Sequence, residues 1–196
     1  MPHWLKPTEL TSDKITLVPM TLAHRDQIVE AAADGNLWEL WYTGVPSAKS
    51  IDGYLESAMQ DIAQGAALPF VIIDNASSKV IGSSRYCHAT PEHRRVEIGY
   101  TFYSKSFQRT SVNTHCKMLM LSYAFEQLDT IAVEFRTHWH NHASRAAIAR
   151  LGAKQDGVLR NHSIDADGAL RDTVVFSILQ SEWLTVKKSL QYKLTR

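Results

Sequence analysis

Glu97 stands between Val96 and Ile98 in the run Arg-Val-Glu-Ile-Gly-Tyr-Thr-Phe-Tyr, residues 95–103. The run reads as a strand. A carboxylate on a strand that faces a cleft is desolvated, which raises its pKa and suits it to act as a general base. The plainer alternative is an exposed acid paired with Arg94 or Arg95 at a sheet edge. A second group, Gln108-Arg109-Thr110-Ser111-Val112-Asn113-Thr114, leads into a long apolar stretch. A helix starting there presents unpaired N–H groups and the positive end of its dipole, which suits a phosphate. Arg109 adds a charged donor, and Thr110, Ser111 and Thr114 add hydroxyls; the same residue types also serve as simple helix caps. Third, Asn141 and Ser144 open another helix, so their side chains share its first turn. Asn141 is a good cap, or a donor to an extended ligand, and Ser144 is then placed to protonate a leaving thiolate.

His138, His140 and His142 alternate with Trp139 and Asn141. They share a face only if the segment stays extended, and no nearby cysteine or carboxylate completes a tetrahedral set. No metal is therefore expected, and the imidazoles read as solvated or substrate-lining. His88 and His93 flank Pro91 in an expected loop and receive the same reading. Trp38, Trp41 and Tyr42 fall in a turn-rich segment, where they wall an acceptor pocket or simply pack in the core.

The elements that hold these residues follow from periodicity. A strand at 15–19 precedes a helix from Thr21 to about Ala33, and a second helix spans about 50–64 with Tyr54, Leu55, Ala58, Met59 and Ile62 as its apolar stripe. Strands are expected at 69–74, 79–87 and 95–103, then a helix at 112–128, a strand at 131–138 and a helix at 142–151 ending at Gly152. Two late strands, about 153–165 and 169–179, surround the turn Asp167-Gly168, and a short helix follows Glu182. The order predicts an α/β fold: a twisted mixed sheet of about seven strands with helices on both faces, in one domain spanning 1–196.

Composition narrows the partners. The 196 residues carry a net charge of +1, with 44% hydrophobic and 21% charged side chains, so nothing marks a nucleic-acid surface. No apolar run spans a membrane, and Met1 to Pro7 has no signal-peptide core. Cys87 and Cys116 make no disulfide framework. A cytoplasmic location is expected.

With these motifs in this order, the chain resembles the GNAT superfamily of N-acetyltransferases, particularly its RimJ/RimL-like, ribosomal-protein N-terminal acetyltransferase branch. The resemblance covers about 13–186: Thr16-Leu17-Val18-Pro19-Met20, Ile81-Gly82, Glu97-Ile98-Gly99-Tyr100, Asn141-x-x-Ser144 through Leu151-Gly152-Ala153, Gly157-Val158-Leu159-Arg160 and Asp172. It implies acetyl transfer from acetyl-CoA, without a metal, to a primary amine of a protein N-terminus or small molecule, in a ternary complex. Tyr100, Thr101 and Phe102 would hold the pantetheine arm by backbone pairing where two strands splay, with one N–H polarising the thioester carbonyl. Residues 108–114 would bind the pyrophosphate, Asn141 the pantetheine, Ser144 would lie near the sulfur and Glu97 would be the base. Relatives of this branch often form homodimers. Two positions depart from the family pattern. Its loop carries glycines where this chain has Ser111 and Asn113, whose side chains would crowd the loop unless they point outward or the phosphates sit differently. The tyrosine acid found in many members seven residues past the asparagine is Ile148 here. The alternative implied by the missing glycines is a non-catalytic CoA-sensing or interaction module.

Overall fold

The computed structural model describes residues 4–165 and 167–195. The sequence reading of the first seven residues thus falls partly outside it. Among the described residues eight strands are formed: β1 (Leu10–Thr11), β2 (Ile15–Pro19), β3 (Leu68–Asp74), β4 (Lys79–Thr90), β5 (Arg95–Tyr103), β6 (Ala132–His138), β7 (Lys154–Ile164) and β8 (Leu170–Leu179). Five α-helices connect them: α1 (Arg25–Ala33), α2 (Ile51–Ala63), α3 (Val112–Glu126), α4 (His142–Leu151) and α5 (Gln180–Leu194). One sheet holds all eight strands in the order β1-β2-β3-β4-β5-β6-β8-β7. The strand beyond the expected seven is β1, a two-residue edge piece on β2 that lacks the length to show alternation.

Hairpin-linked neighbours pair antiparallel, whereas β5 and β6 are parallel, because α3 carries the chain back across one face. Val112, Cys116, Met120 and Ala124 recur every four residues along α3 and are buried against Tyr86, Val96, Ile98 and Val133. On that face lie also α4 and α5, through Ile148, Leu151, Trp183, Val186 and Leu190. The helices α1 and α2 cover the other face, over Val71, Val80 and Phe102, with Ile28, Ala31, Ala32, Leu55 and Ala58 turned inward. Their cover stops near β5. On that side β6 keeps its polar residues, Glu134 and Arg136, partly open.

Two expectations are corrected. His88 does not lie in a loop: β4 continues to Thr90, and only Pro91–His93 make a single 3-10 turn. The C-terminal helix is not short. It runs for 15 residues, with the ring of Trp183 stacked 5.3 Å from Phe125 and its Nε1 donating to Glu126 at 2.8 Å.

Candidate active site

The parallel pairing of β5 with β6 lasts three residues, Arg95↔Ala132, Val96↔Val133 and Glu97↔Glu134. Past Glu97, β5 follows β4 as far as Tyr103↔Gly82, while β6 follows β8 as far as His138↔Thr173. The two strands therefore diverge, and among the described residues the β6-facing edge of Ile98 to Tyr103 has no strand partner. A β-bulge bends β5 at the same place: the register shifts between Ser83 and Arg85, and Tyr100 adopts φ +50°. Side chains leave the gap free. Thr101 turns toward α3, Phe102 packs under α1 and α2, and Tyr100 lies half-exposed over the other face. What these residues offer a ligand in the gap is backbone.

Glu97 lies at the mouth of this divergence, 7% exposed. Arg94 and Arg95 are not its partners; they engage Asp129 and Glu134. Its Oε2 instead meets His88 Nδ1 at 2.9 Å and Arg136 Nε at 3.4 Å. His88 reaches it because a second bulge, with φ +49°, swings the imidazole onto the same face. The carboxylate raises the pKa of His88 through that hydrogen bond. Cys87, directly across from Glu97, is buried, and burial pushes its thiol up. A Cβ on Gly99 would stand 3.2 Å from Glu97 Oε1, so glycine leaves room for the carboxylate. Ligand atoms of Cys87, His88 and Glu97 fall within 4.8 Å of one another, a cluster that short sequence spacings cannot show. Arg136 supplies positive charge to the same carboxylate oxygen.

The start of α3 shows what stands at the family's glycine positions. Ser111, the residue before the helix, has φ −72° and ψ −10°, and the left-handed position falls on Arg109 at φ +62°. Glycine's conformational freedom is therefore needed at neither Ser111 nor Asn113. Asn113 turns inward, where its Oδ1 accepts from the Tyr103 hydroxyl at 3.0 Å. Gln108 donates to the Tyr103 carbonyl at 3.0 Å, and Thr114 accepts from Arg150 at 3.1 Å. Thr110 accepts a long bond from Val112 N at 3.3 Å. Ser111 makes no side-chain cap, so Val112 N, held by Thr110, is the first-turn amide that a neighbouring side chain engages among the described residues. What remains for a phosphate is backbone N–H together with the exposed Arg109.

Asn141 does cap α4: its Oδ1 accepts from Ser144 N at 3.0 Å, leaving its amide nitrogen as a donor. Ser144 is half-buried on the same turn. The aromatic segment divides. Trp41 stands edge-on to Tyr42 (5.5 Å) and His138 (5.1 Å) and 5.7 Å from His140, forming a wall at the end of β6. Trp38 packs instead against the core under α1 and α2. Beside the wall, a cavity of about 210 Å³ opens among His138, Trp139, His140, Arg160 and Asp172. His138 is buried, which lowers its pKa.

Three residues near the site escaped the sequence reading, Arg85, Lys117 and Arg136, and the contact of His88 with Glu97 escaped it too. Lys117 is 5% exposed and donates to Ser84 at 2.9 Å and Thr101 at 2.8 Å, directly under the bulge. Desolvation lowers its pKa.

A mixed sheet split between one parallel pair, with a helix N-terminus beside the split, defines the class of fold. The matched family model places the chain within it: residues 14–154 match the acetyltransferase (GNAT) domain, and the chain belongs to that family. Among curated relatives, the Bacillus subtilis (strain 168) protein named "Putative ribosomal N-acetyltransferase YdaF" is 32% identical over 91 residues, 46% of this chain and 49% of its own. The match thus spans about half the length of that relative. A GCN5-related N-acetyltransferase from Brucella melitensis superposes with a TM-score of 0.85 at 26% identity, covering 97% of this chain and 86% of that one. Mycobacterium smegmatis RimJ, solved in complex with CoA-disulfide, shares the fold at a TM-score of 0.78 and 20% identity, with 95% of both chains covered.

Proposed function

We propose that this protein transfers an acetyl group from acetyl-CoA to a primary amine by direct attack in a ternary complex. The observation that carries the reading is the divergence of β5 from β6 immediately past the buried Glu97. An acyl-pantetheine arm laid along the unpaired edge of β5 would bring its thioester to that carboxylate. The amine nitrogen attacks the thioester carbonyl carbon, and a backbone N–H of the bulge region stabilises the oxyanion. Glu97, directly or through water, accepts the proton lost by the amine. The C–S bond then breaks, and the thiolate takes a proton from water, directly or through the Ser144 hydroxyl, which recovers its own proton from that water. Arg109 and the first-turn amides of α3 hold the pyrophosphate, while the Asn141 amide nitrogen serves the pantetheine. Trp41 and Tyr42 line the way for the acceptor. The name of the Bacillus relative, a putative ribosomal N-acetyltransferase, favours a ribosomal amine, such as a protein N-terminus, over a small molecule as acceptor, and the CoA-disulfide bound to RimJ is in keeping with the donor. We place this activity in the cytoplasm; among the described residues no helix is long and apolar enough to cross a membrane.

Free-thiol release from acetyl-CoA, measured against a panel of small amines and N-terminal peptides, tests the reading. Amine-dependent release is expected. Release no faster than hydrolysis across the panel would leave the non-catalytic alternative.

A further inference from the structure

On the face that carries Glu97, one strand away and opposite Gly99, lies Arg85. It is 1% exposed, among the most deeply buried large side chains of the protein. Its Nη1 donates to Asp61 at 3.1 Å. Its Nε and Nη2 have no hydrogen-bond partner among the described residues. Buried donors of this kind are costly and rare, more so on a charged group. These two atoms form the side of the guanidinium that grips a carboxylate with two parallel bonds. The same chain uses that fork elsewhere: Arg25 holds Asp52 through Nε at 2.7 Å and Nη2 at 3.2 Å, and Arg95 turns both atoms on Glu134.

We propose that the Nε/Nη2 fork of Arg85 receives a carboxylate of the acceptor, so that the substrates are amines that also bear a carboxylate. The proposal rests on the transferase reading and names its substrate class. Position supports it. Arg85 pairs with Gly99, two residues along β5 from Glu97, so the fork and the base carboxylate face the same side at neighbouring ladder steps. Diagonal positions of this kind on two paired strands are about 7–8 Å apart at the backbone, near enough for an amino acid or an acidic N-terminal residue to address both side chains. The guanidinium is held rather than free. Asp61 fixes one nitrogen, and the rings of Tyr100 and Tyr54 stand 4.2 and 5.2 Å from its carbon. Tyr100, 52% exposed on the bulge, is the side chain that must turn aside to admit the carboxylate. A structural cation would be expected to spend all its donors on the protein; this one keeps the carboxylate-shaped pair unspent.

The test uses matched acceptors that differ only in carboxylate against carboxamide, such as peptides beginning with Asp or Asn and with Glu or Gln. Their kcat/KM values are compared for the wild type, Arg85→Lys, which keeps the charge but loses the fork, and Arg85→Met. Melting and acetyl-CoA affinity report folding of the variants. The wild type is expected to favour the carboxylate member by roughly tenfold to a hundredfold, and the ratio is expected to fall toward one in both variants. The ratio in the wild type needs no variant to fold, so its absence overturns the proposal outright. A preference that survives in Arg85→Lys and Arg85→Met also overturns it. Absence of thiol release with every amine would sink the transferase reading itself, and this proposal with it; release that is indifferent to the carboxylate sinks only this one.

Discussion

Glu97 can accept a proton only while its carboxylate is not wholly committed to the cations around it. Arg136 is permanent, but His88 is a switch: its contact with Glu97 lifts its pKa above the ordinary 6.5. Below that raised pKa the imidazolium pins the carboxylate; as pH rises through it, the proton leaves and Glu97 is freed. The same contact stabilises the fold at pH below 6.5 and is lost as pH rises through the raised value. We therefore expect the acid limb of kcat/KM to centre above pH 6.5, and His88→Gln to move it to lower pH. An unmoved limb would remove His88 from control of the base. For Glu97→Gln, turnover should fall by roughly 10²- to 10⁴-fold with acetyl-CoA affinity nearly unchanged. An unaltered rate at saturating acceptor would dismiss Glu97 as the base.

The elements that matter most are β4 and β5, because their mutual fit sets the bulge on which the acyl arm would lie. At Gly82 the fit leaves no room for a side chain: an added Cβ would stand 2.2 Å from the Phe102 carbonyl oxygen, a backbone atom that cannot step aside alone. Gly82→Ala is expected to destabilise the protein by about 1–3 kcal/mol in urea titration and to lower turnover by shifting the bulge. Unchanged stability would show that the strands separate without cost. Lys117 braces the other side. Its folded pKa is lowered by burial, so between that value and the unfolded 10.5 the unfolded chain binds more protons. Wild-type stability measured against Lys117→Met should therefore rise as pH approaches 10.5. Ser84 and Thr101 remain bonded to each other at 2.8 Å without the amine, so the variant should fold. At this scale the limits of the sequence become plain. Strand and helix positions were legible because periodicity is local, as with Val112, Cys116, Met120 and Ala124 in α3. Glu97 and Asn141 were legible because each motif lies within one segment. Arg85, His88 and Arg136 meet Glu97's face only through cross-strand pairing, and two non-glycine bulges, at His88 and Tyr100, leave no turn signal. The left-handed residue of the α3 loop, Arg109, is not a glycine and so carries no turn signal either.

Across the whole molecule, the two faces of the sheet do different work. The face under α3, α4 and α5 is closed by apolar packing, and α5 completes it with Trp183, Val186 and Leu190. Trp183→Ala should cost about 3–5 kcal/mol and lower the melting temperature on the order of 10 °C, without changing the acceptor preference. A melting point within a degree or two of wild type would mean that α5 is dispensable. The other face is covered by α1 and α2 only as far as β5, and beyond that edge it carries Glu97, Arg136 and His138. The donor is expected to enter between the strands and the acceptor across this open face, so that the two meet at Glu97. The central claim is that the split sheet and the start of α3 together receive acetyl-CoA. Calorimetric titration of the protein with acetyl-CoA tests it most directly, with Arg109→Ala alongside. One saturable site per chain is expected, weakened roughly 10- to 100-fold in the variant with its melting unchanged. No heat and no thermal shift up to millimolar acetyl-CoA would contradict the account.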